Sequence, residues 1–186
     1  HGEDFHGFFV YDTTVHAALI VRLPARAAAG RVVDRPVSHV DLLPTILGLA
    51  GLPVPAPVHG RSLVPLLLGR GVEWDRPVYS ESLYALLHYG WAPLRAIRTD
   101  RFKLIDAPRA ELYDLAEDSS ELTNLHHVEP DRAQELAAAL ADLRRGIDTG
   151  ERPRATSPDI DEQTLARLRS LGYVAGAGGA GVADAD

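Results

Sequence analysis

Runs of apolar residues along the chain are short and regularly interrupted, and their spacing changes part way through. Ala17 to Leu23 (A-A-L-I-V-R-L) is a compact apolar run with β-branched members, closed by Pro24, and predicts a strand buried on both faces. An Ala-rich connection follows, then a second short extended piece over 32–37. From Asp41 the pattern turns helical. Taking Asp41 as N-cap puts Pro44 in the first turn, where no intrahelical donor is lost, and Gly51 is the natural stop. Ser38 with Asp41 also matches a capping box, a register that sets Pro44 deeper in the helix. Ser62-Leu-Val-Pro-Leu-Leu-Leu-Gly69 repeats the logic on a smaller scale, and the proline-rich stretch 52–59 between them reads as extended loop.

After Arg76-Pro77 the period shortens. Val78–Glu81, Leu94–Arg98, Phe102–Ile105 and Glu111–Leu115 are strand-like runs separated by turn residues, with Thr99-Asp-Arg101 as a hairpin turn, and they predict a small antiparallel sheet. A helix over 130–145 places Ala133, Leu136, Ala137, Leu140 and Leu143 on one face. Pro130 suits its first position and Gly146 its stop. Ser157-Pro158 predicts another helix, with Asp159, Asp161 and Glu162 at its positive end, a Leu165, Leu168, Leu171 stripe and Gly172 as its end. The Ala/Gly tail from Ala175 has almost nothing to bury and is expected to be disordered.

Composition narrows the classes. The 186 residues carry 19 Lys and Arg against 26 Asp and Glu, a formal charge of −7 with no basic stripe, which disfavours a nucleic-acid partner. Structural disulfides and Cys-ligated zinc are excluded in this segment by the absence of Cys. No apolar stretch reaches the roughly 18 residues of a membrane span. The chain opens on His1 and contains no Met, which marks it as an expected fragment or processed product.

Four motifs in order carry a resemblance. These are the opening His1-Gly-Glu-Asp-Phe-His-Gly-Phe-Phe-Val-Tyr-Asp12, then Ser38-His-Val-Asp-Leu-Leu-Pro-Thr with Gly60-Arg-Ser-Leu63, then Gly90-Trp-Ala-Pro-Leu-Arg95 through Arg98-Thr-Asp-Arg-Phe-Lys103 to Glu111-Leu-Tyr-Asp-Leu115 and Glu121-Leu-Thr-Asn124, and last Leu168-Arg-Ser-Leu-Gly-Tyr173. Together they resemble the C-terminal portion of a bacterial-type sulfatase of the alkaline-phosphatase superfamily. The resemblance implies an α/β fold: the end of a mixed-sheet catalytic domain over 1–72, an antiparallel four-stranded sheet subdomain with a packed helix over 73–150, and a terminal helix and tail over 151–186. Ala17–Leu23 is thereby expected in the central sheet.

The resemblance also implies chemistry. Sulfate-ester cleavage needs a nucleophile, a divalent cation to hold it, and positive groups on the sulfate. In such enzymes these are a formylglycine made in a C/S-x-P-x-R motif and calcium held by Asp with His or Asn. This chain has no Cys and no S-x-P-x-R, so nucleophile and calcium ligands are both expected upstream of His1, and no residue of the chain is assigned as a metal ligand. His6 falls close to a basic residue that contacts sulfate, and is the candidate catalytic and substrate-binding residue, donating to sulfate or protonating the leaving oxygen. His1 is carried as a second substrate contact. In a register that made His1-Gly2-Glu3 the metal segment it would lie beside calcium, which the spacing to Phe8-Phe9 argues against. His16 stands where the family usually has Arg and Ala18 where it has Pro. His39 and Asp41 read as structural, and Tyr84, His88 and Trp91 as rim or pocket-mouth residues. His126-His127 lacks a third ligand, and Glu111, Asp114 and Asn124 read as turn and cap residues serving backbone donors.

The substrate implied is a sulfate-ester small molecule or glycan, and a periplasmic or exported location is favoured. Two other readings stay open: hydrolysis of phosphodiesters or phosphonate monoesters on the same fold, and a noncatalytic interaction module. The 186 residues alone are expected to lack sulfatase turnover.

Overall fold

The structure, a computed structural model, describes residue 2, residues 7–148 and residues 161–170. The chain divides into two units, 1–150 and 151–186. In the first, a four-stranded antiparallel sheet runs in the order β1 (Val78–Ser82), β2 (Leu94–Arg98), β3 (Phe102–Asp106), β4 (Glu111–Asp114). The β2–β3 turn has no glycine. Thr99 closes it instead, its N–H donating to the Phe102 carbonyl at 2.8 Å while its hydroxyl accepts the Phe102 N–H at 2.9 Å.

Side chains alternate across a strand, so the register sorts each residue to a face. Tyr79, Ile97, Leu104 and Leu112 are neighbours on one face. The helix α5 (Pro130–Asp148) covers it, burying Ala133, Leu136 and Leu140 against Ile97, Leu104 and Leu112. Ala96, Lys103, Ile105 and Tyr113 occupy the opposite face, which is covered by the segment around Val10. Sheet residues are thus buried on both sides, although the sheet itself is small.

Pro130 takes the first helical position, as its fixed φ favours. Two expectations about α5 are corrected. The helix passes through Gly146, because glycine tolerates the helical conformation at a cost of about 1 kcal/mol and here faces solvent. Ala137 is exposed while Ala139 packs against the core, because the buried stripe is rotated toward the 136–139–143 side.

The amino-terminal half holds three short helices: α1 (Asp12–Val15), α2 (Leu42–Leu49) and α3 (Val64–Leu67). The capping-box reading of Asp41 is met, and the N-cap reading in position alone, since the Asp41 carboxylate makes no capping bond to α2. A 3-10 turn over His39–Asp41 has the Ser38–Asp41 box, with the Ser38 N–H donating to Asp41 Oδ2 at 3.0 Å, and α2 starts one residue later, so Pro44 still falls in its first turn. Gly51 and Gly69 end α2 and α3 at φ of +69° and +68°, conformations that favour glycine. A further helix, α4 (Tyr84–Tyr89), fills the β1–β2 connection.

Ala17–Leu23 does not form the expected strand. It runs extended with no partner among the described residues, leaving Ile20 90% exposed and Leu19 and Val21 also open to solvent. A strand needs a neighbour for its backbone groups, and β1–β4 pair only with one another. Residues 32–37 are likewise unpaired among the described residues.

In the second unit, α6 (Glu162–Ser170) begins after Asp161, whose carboxylate accepts the Thr164 N–H at 2.8 Å and hydroxyl at 2.9 Å. This capping places the start later than Ser157-Pro158. Those two residues, Asp159, Leu171, Gly172 and the Ala/Gly tail lie outside the described residues.

Truncating the α5 contact tests the packing. Leu136→Ala is expected to cost about 2–5 kcal/mol, the range for a buried Leu to Ala change, measured by urea denaturation. A loss below about 1 kcal/mol would show that α5 does not hold the sheet.

Candidate functional site

His1 and His6, the two candidate substrate contacts, lie outside the described residues. The structure does describe what immediately follows them. Residues 7–12 form a strap across the face of the sheet opposite α5, fastened at four successive points. The Ser82 hydroxyl donates to the Gly7 carbonyl at 2.8 Å. Val10 is buried among Ala96, Ile105 and Tyr113. The Tyr11 hydroxyl donates to Glu111 Oε2 at 2.9 Å, and Tyr113 donates to the same oxygen at 2.9 Å. Asp12 enters a buried ionic cluster.

That cluster centres on Lys103, only 1% exposed although it sits mid-strand between Phe102 and Leu104. Its Nζ lies 2.8 Å from Asp12 Oδ1 and 2.7 Å from Glu121 Oε1. The Glu121 contact is a close approach of opposite charges whose alignment falls short of a hydrogen bond, since Oε1 has no geometrically aligned donor. The second Glu121 oxygen accepts the Asp12 N–H at 2.6 Å, and Arg98 Nε stands 3.3 Å from Asp12 Oδ2. Glu121 is 1% exposed and adopts φ +56°, a left-handed backbone that costs a non-glycine residue about 1 kcal/mol or more.

Glu111 therefore serves two phenols rather than backbone donors, correcting its expected role. Asn124 and Asp114 do serve the backbone. Asn124 Oδ1 accepts from Leu112 and His126, and Asp114 accepts from Ala116 while taking a bidentate contact from Arg101. That guanidinium holds the Asp114 carboxyl below the usual carboxylate range.

A second lock sits in the Ser38–Leu63 motif. Asp41, 2% exposed, accepts the Ser38 and Arg61 N–H groups and the Arg76 guanidinium at 3.0, 2.8 and 2.6 Å. Thr45 takes the Leu63 N–H at 2.8 Å. Gly60 passes so close to the Val40 carbonyl that any Cβ would overlap it. Asp41 is thus structural, as read from the sequence, while His39 and His16 are exposed.

Tyr84, His88 and Trp91 belong to a ring cluster at α4. Phe8 of the strap stands 5.9 Å from Tyr84 and 6.3 Å from Trp91, with Tyr84–His88 and Tyr89–Trp91 at 4.2 and 5.1 Å. Trp91 is 59% exposed and Tyr89 56%, so the cluster presents aromatic surface beside the strap. The His126 and His127 rings meet edge-on, 5.1 Å apart, and no group of three His, Asp or Glu among the described residues is placed to hold a metal ion. No helix among them is long and apolar enough to cross a membrane.

A family described as N-sulphoglucosamine sulphohydrolase, C-terminal, matches residues 2–146, and the chain belongs to the sulfatase family, matching its C-terminal portion. Its α/β architecture is alkaline-phosphatase-like, as the solved relatives indicate. Sulfatase YidJ of Escherichia coli (strain K12), itself uncharacterized, is 36% identical over 123 residues, covering 64% of this chain and 24% of the relative. An N-acetylglucosamine-6-O-sulfatase of Bacteroides thetaiotaomicron is 31% identical over 131 residues, with coverages of 64% and 24%. Among solved structures, the phosphonate monoester hydrolase of Silicibacter pomeroyi superposes with a TM-score of 0.60 at 29% identity, covering 76% of this chain and 30% of that one. A structure holding its substrate D-glucosamine-2-N,6-O-disulfate superposes at 0.50 with 28% identity, covering 60% and 24%. The chain spans about a quarter of the length of the curated relatives it matches.

The shared Glu111 contact has a pH signature. Burial first, then the Glu111 carboxylate, pushes the Tyr11 phenol up to about 12 from its ordinary 10, and Tyr113 rises in the same way. The fold favours both neutral phenols, so the stability they contribute is whole below pH 10 and is lost as pH rises through about 12. Urea midpoints are expected to fall between pH 10 and 12, and to fall less in Tyr11→Phe/Tyr113→Phe. An unchanged slope in the double variant would remove the phenols as its cause.

Proposed function

We propose that this chain is the C-terminal part of a sulfuric ester hydrolase acting on the sulfate ester of a small molecule or glycan. The observation that carries this reading is the family match over residues 2–146. Two relatives support the substrate class: one is an N-acetylglucosamine-6-O-sulfatase and another holds a disulfated glucosamine as its substrate.

Calcium and the formylglycine nucleophile are assigned to the complete gene product, upstream of His1, where together they would supply the attack on sulfur. Within this chain His6 is the proposed donor, hydrogen-bonding the sulfate or passing its proton to the leaving oxygen as the S–O bond breaks. Gly7 to Asp12 hold the chain that leads to it. The exposed Tyr89 and Trp91 rings are proposed to border the leaving group, since aromatic faces stack on sugar and aryl rings alike.

A second reading, hydrolysis of phosphonate monoesters or phosphodiesters, is favoured by the TM-score of 0.60 to the Silicibacter pomeroyi enzyme. One panel separates the readings. The complete gene product is expected to cleave 4-nitrophenyl sulfate faster than phenyl phosphonate esters, and the 186-residue chain to cleave neither. His6→Ala is expected to lower kcat of the complete product by about 100-fold or more, the usual scale for losing a general acid. Preference for the phosphonate ester would select the second reading. Turnover by the 186 residues alone would overturn the division of labour, and silence from the complete product would leave a noncatalytic module.

A further inference from the structure

We propose that Lys103 is a positioning residue. Through Asp12 it fixes the strap over residues 7–12, so the placement of the segment that follows His6 depends on a buried ammonium in β3.

The geometry requires more than ordinary packing. A lysine at 1% exposure inside a strand is costly unless carboxylates meet it, and two do, at 2.8 and 2.7 Å. One of them, Glu121, keeps an unfavourable left-handed backbone, and from there its second oxygen reaches the Asp12 N–H at 2.6 Å. Glu121 therefore holds the backbone of residue 12 while Lys103 holds its side chain. Asp12 is the first residue of α1 and the last of the strap. Both of its handles are gripped from behind, on the sheet side, and the strap is otherwise tied by the burial of Val10, the Tyr11 hydroxyl and the Gly7 carbonyl. Arg98, 3.3 Å from the other Asp12 oxygen, adds positive charge at the same point. Asp12 Oδ1 accepts the hydrogen bond of the Lys103 ammonium at 2.8 Å, whereas Glu121 Oε1 only approaches it, so the buried charge is satisfied with the strap in place.

The inference rests on the hydrolase reading for its catalytic consequence and on the structure alone for the clamp. The informative variant is Asp12→Asn in the complete gene product. It leaves the Lys103–Glu121 pair intact and keeps an oxygen at position 12, so the fold survives. Two quantities are read. Amide hydrogen exchange over 8–15 is expected to quicken at least tenfold while 95–114 is unchanged. The kcat per folded molecule is expected to fall at least tenfold with KM within threefold, and Asp12→Glu to recover part of it. Exchange over 8–15 unchanged from wild type would overturn the clamp, as would acceleration spread evenly over strap and sheet. A loosened strap with unaltered kcat per folded molecule would overturn the positioning role. If the wild-type product shows no turnover on either ester class, the hydrolase reading fails and the positioning role with it, while the exchange pattern still decides the clamp. Lys103→Met, which strands both carboxylates, is expected to exceed Asp12→Asn in both readouts. A smaller effect would also overturn the assignment.

Discussion

An ammonium buried between two carboxylates ties the parts of this chain together. Lys103 has no water to fall back on, so Asp12 and Glu121 must both be delivered to it, and they arrive from segments more than a hundred residues apart. The strap is consequently not a loose leader lying over the sheet. It is one wall of a sheet whose other wall is α5, and the small four-stranded layer acquires two covered faces from two unrelated stretches of sequence. Hydrophobic contact supplies the area on each side, while the charge cluster dictates the register in which the strap lies, because apolar contacts tolerate sliding and a buried ion pair does not.

The same economy appears around Asp41. One buried carboxylate closes the turn before α2, receives the backbone at Arg61 and receives the side chain of Arg76. Thr45, one helical turn on, takes the next backbone donor of the returning chain at Leu63. Asp41, Thr45, Arg61 and Leu63, all in the Ser38–Thr45 and Gly60–Leu63 motifs, thus depend on one another through these contacts.

Much of this was legible in the sequence, though unevenly. Four short apolar runs separated by turn residues mark the sheet well, and Leu94–Arg98 coincides with β2 end to end. Local signals sufficed there because consecutive strands pair with their neighbours. Ala17–Leu23 also has the composition of a buried strand, but pairing is a property of two segments, and none of the described strands pairs with it. The cluster was hidden for a related reason. Asp12, Lys103 and Glu121 all stand in motifs that carry the resemblance, yet nothing local brings them together. The available signal was a lysine flanked by Phe102 and Leu104 in a strand with apolar residues on both faces. The candidate residues His1 and His6 remain assignments from sequence, since they precede the described strap.

The tight passage at Gly60 has a consequence for how this region tolerates change. Its backbone lies against the Val40 carbonyl, and Asp41 and Thr45 fasten the residues just beyond it, so the chain is pinned from position 60 onward. The far end of α2 is fixed as well, by the left-handed turn at Gly51. Between these points the proline-rich stretch 52–59 is largely exposed. Loop-closure entropy rises by only about 0.6 kcal/mol for each doubling of loop length. Extra residues inserted there lengthen a surface loop at little cost, whereas shifting the chain by a single residue past the same point drives a side chain into a carbonyl oxygen. Length is free on one side of Gly60 and fixed on the other.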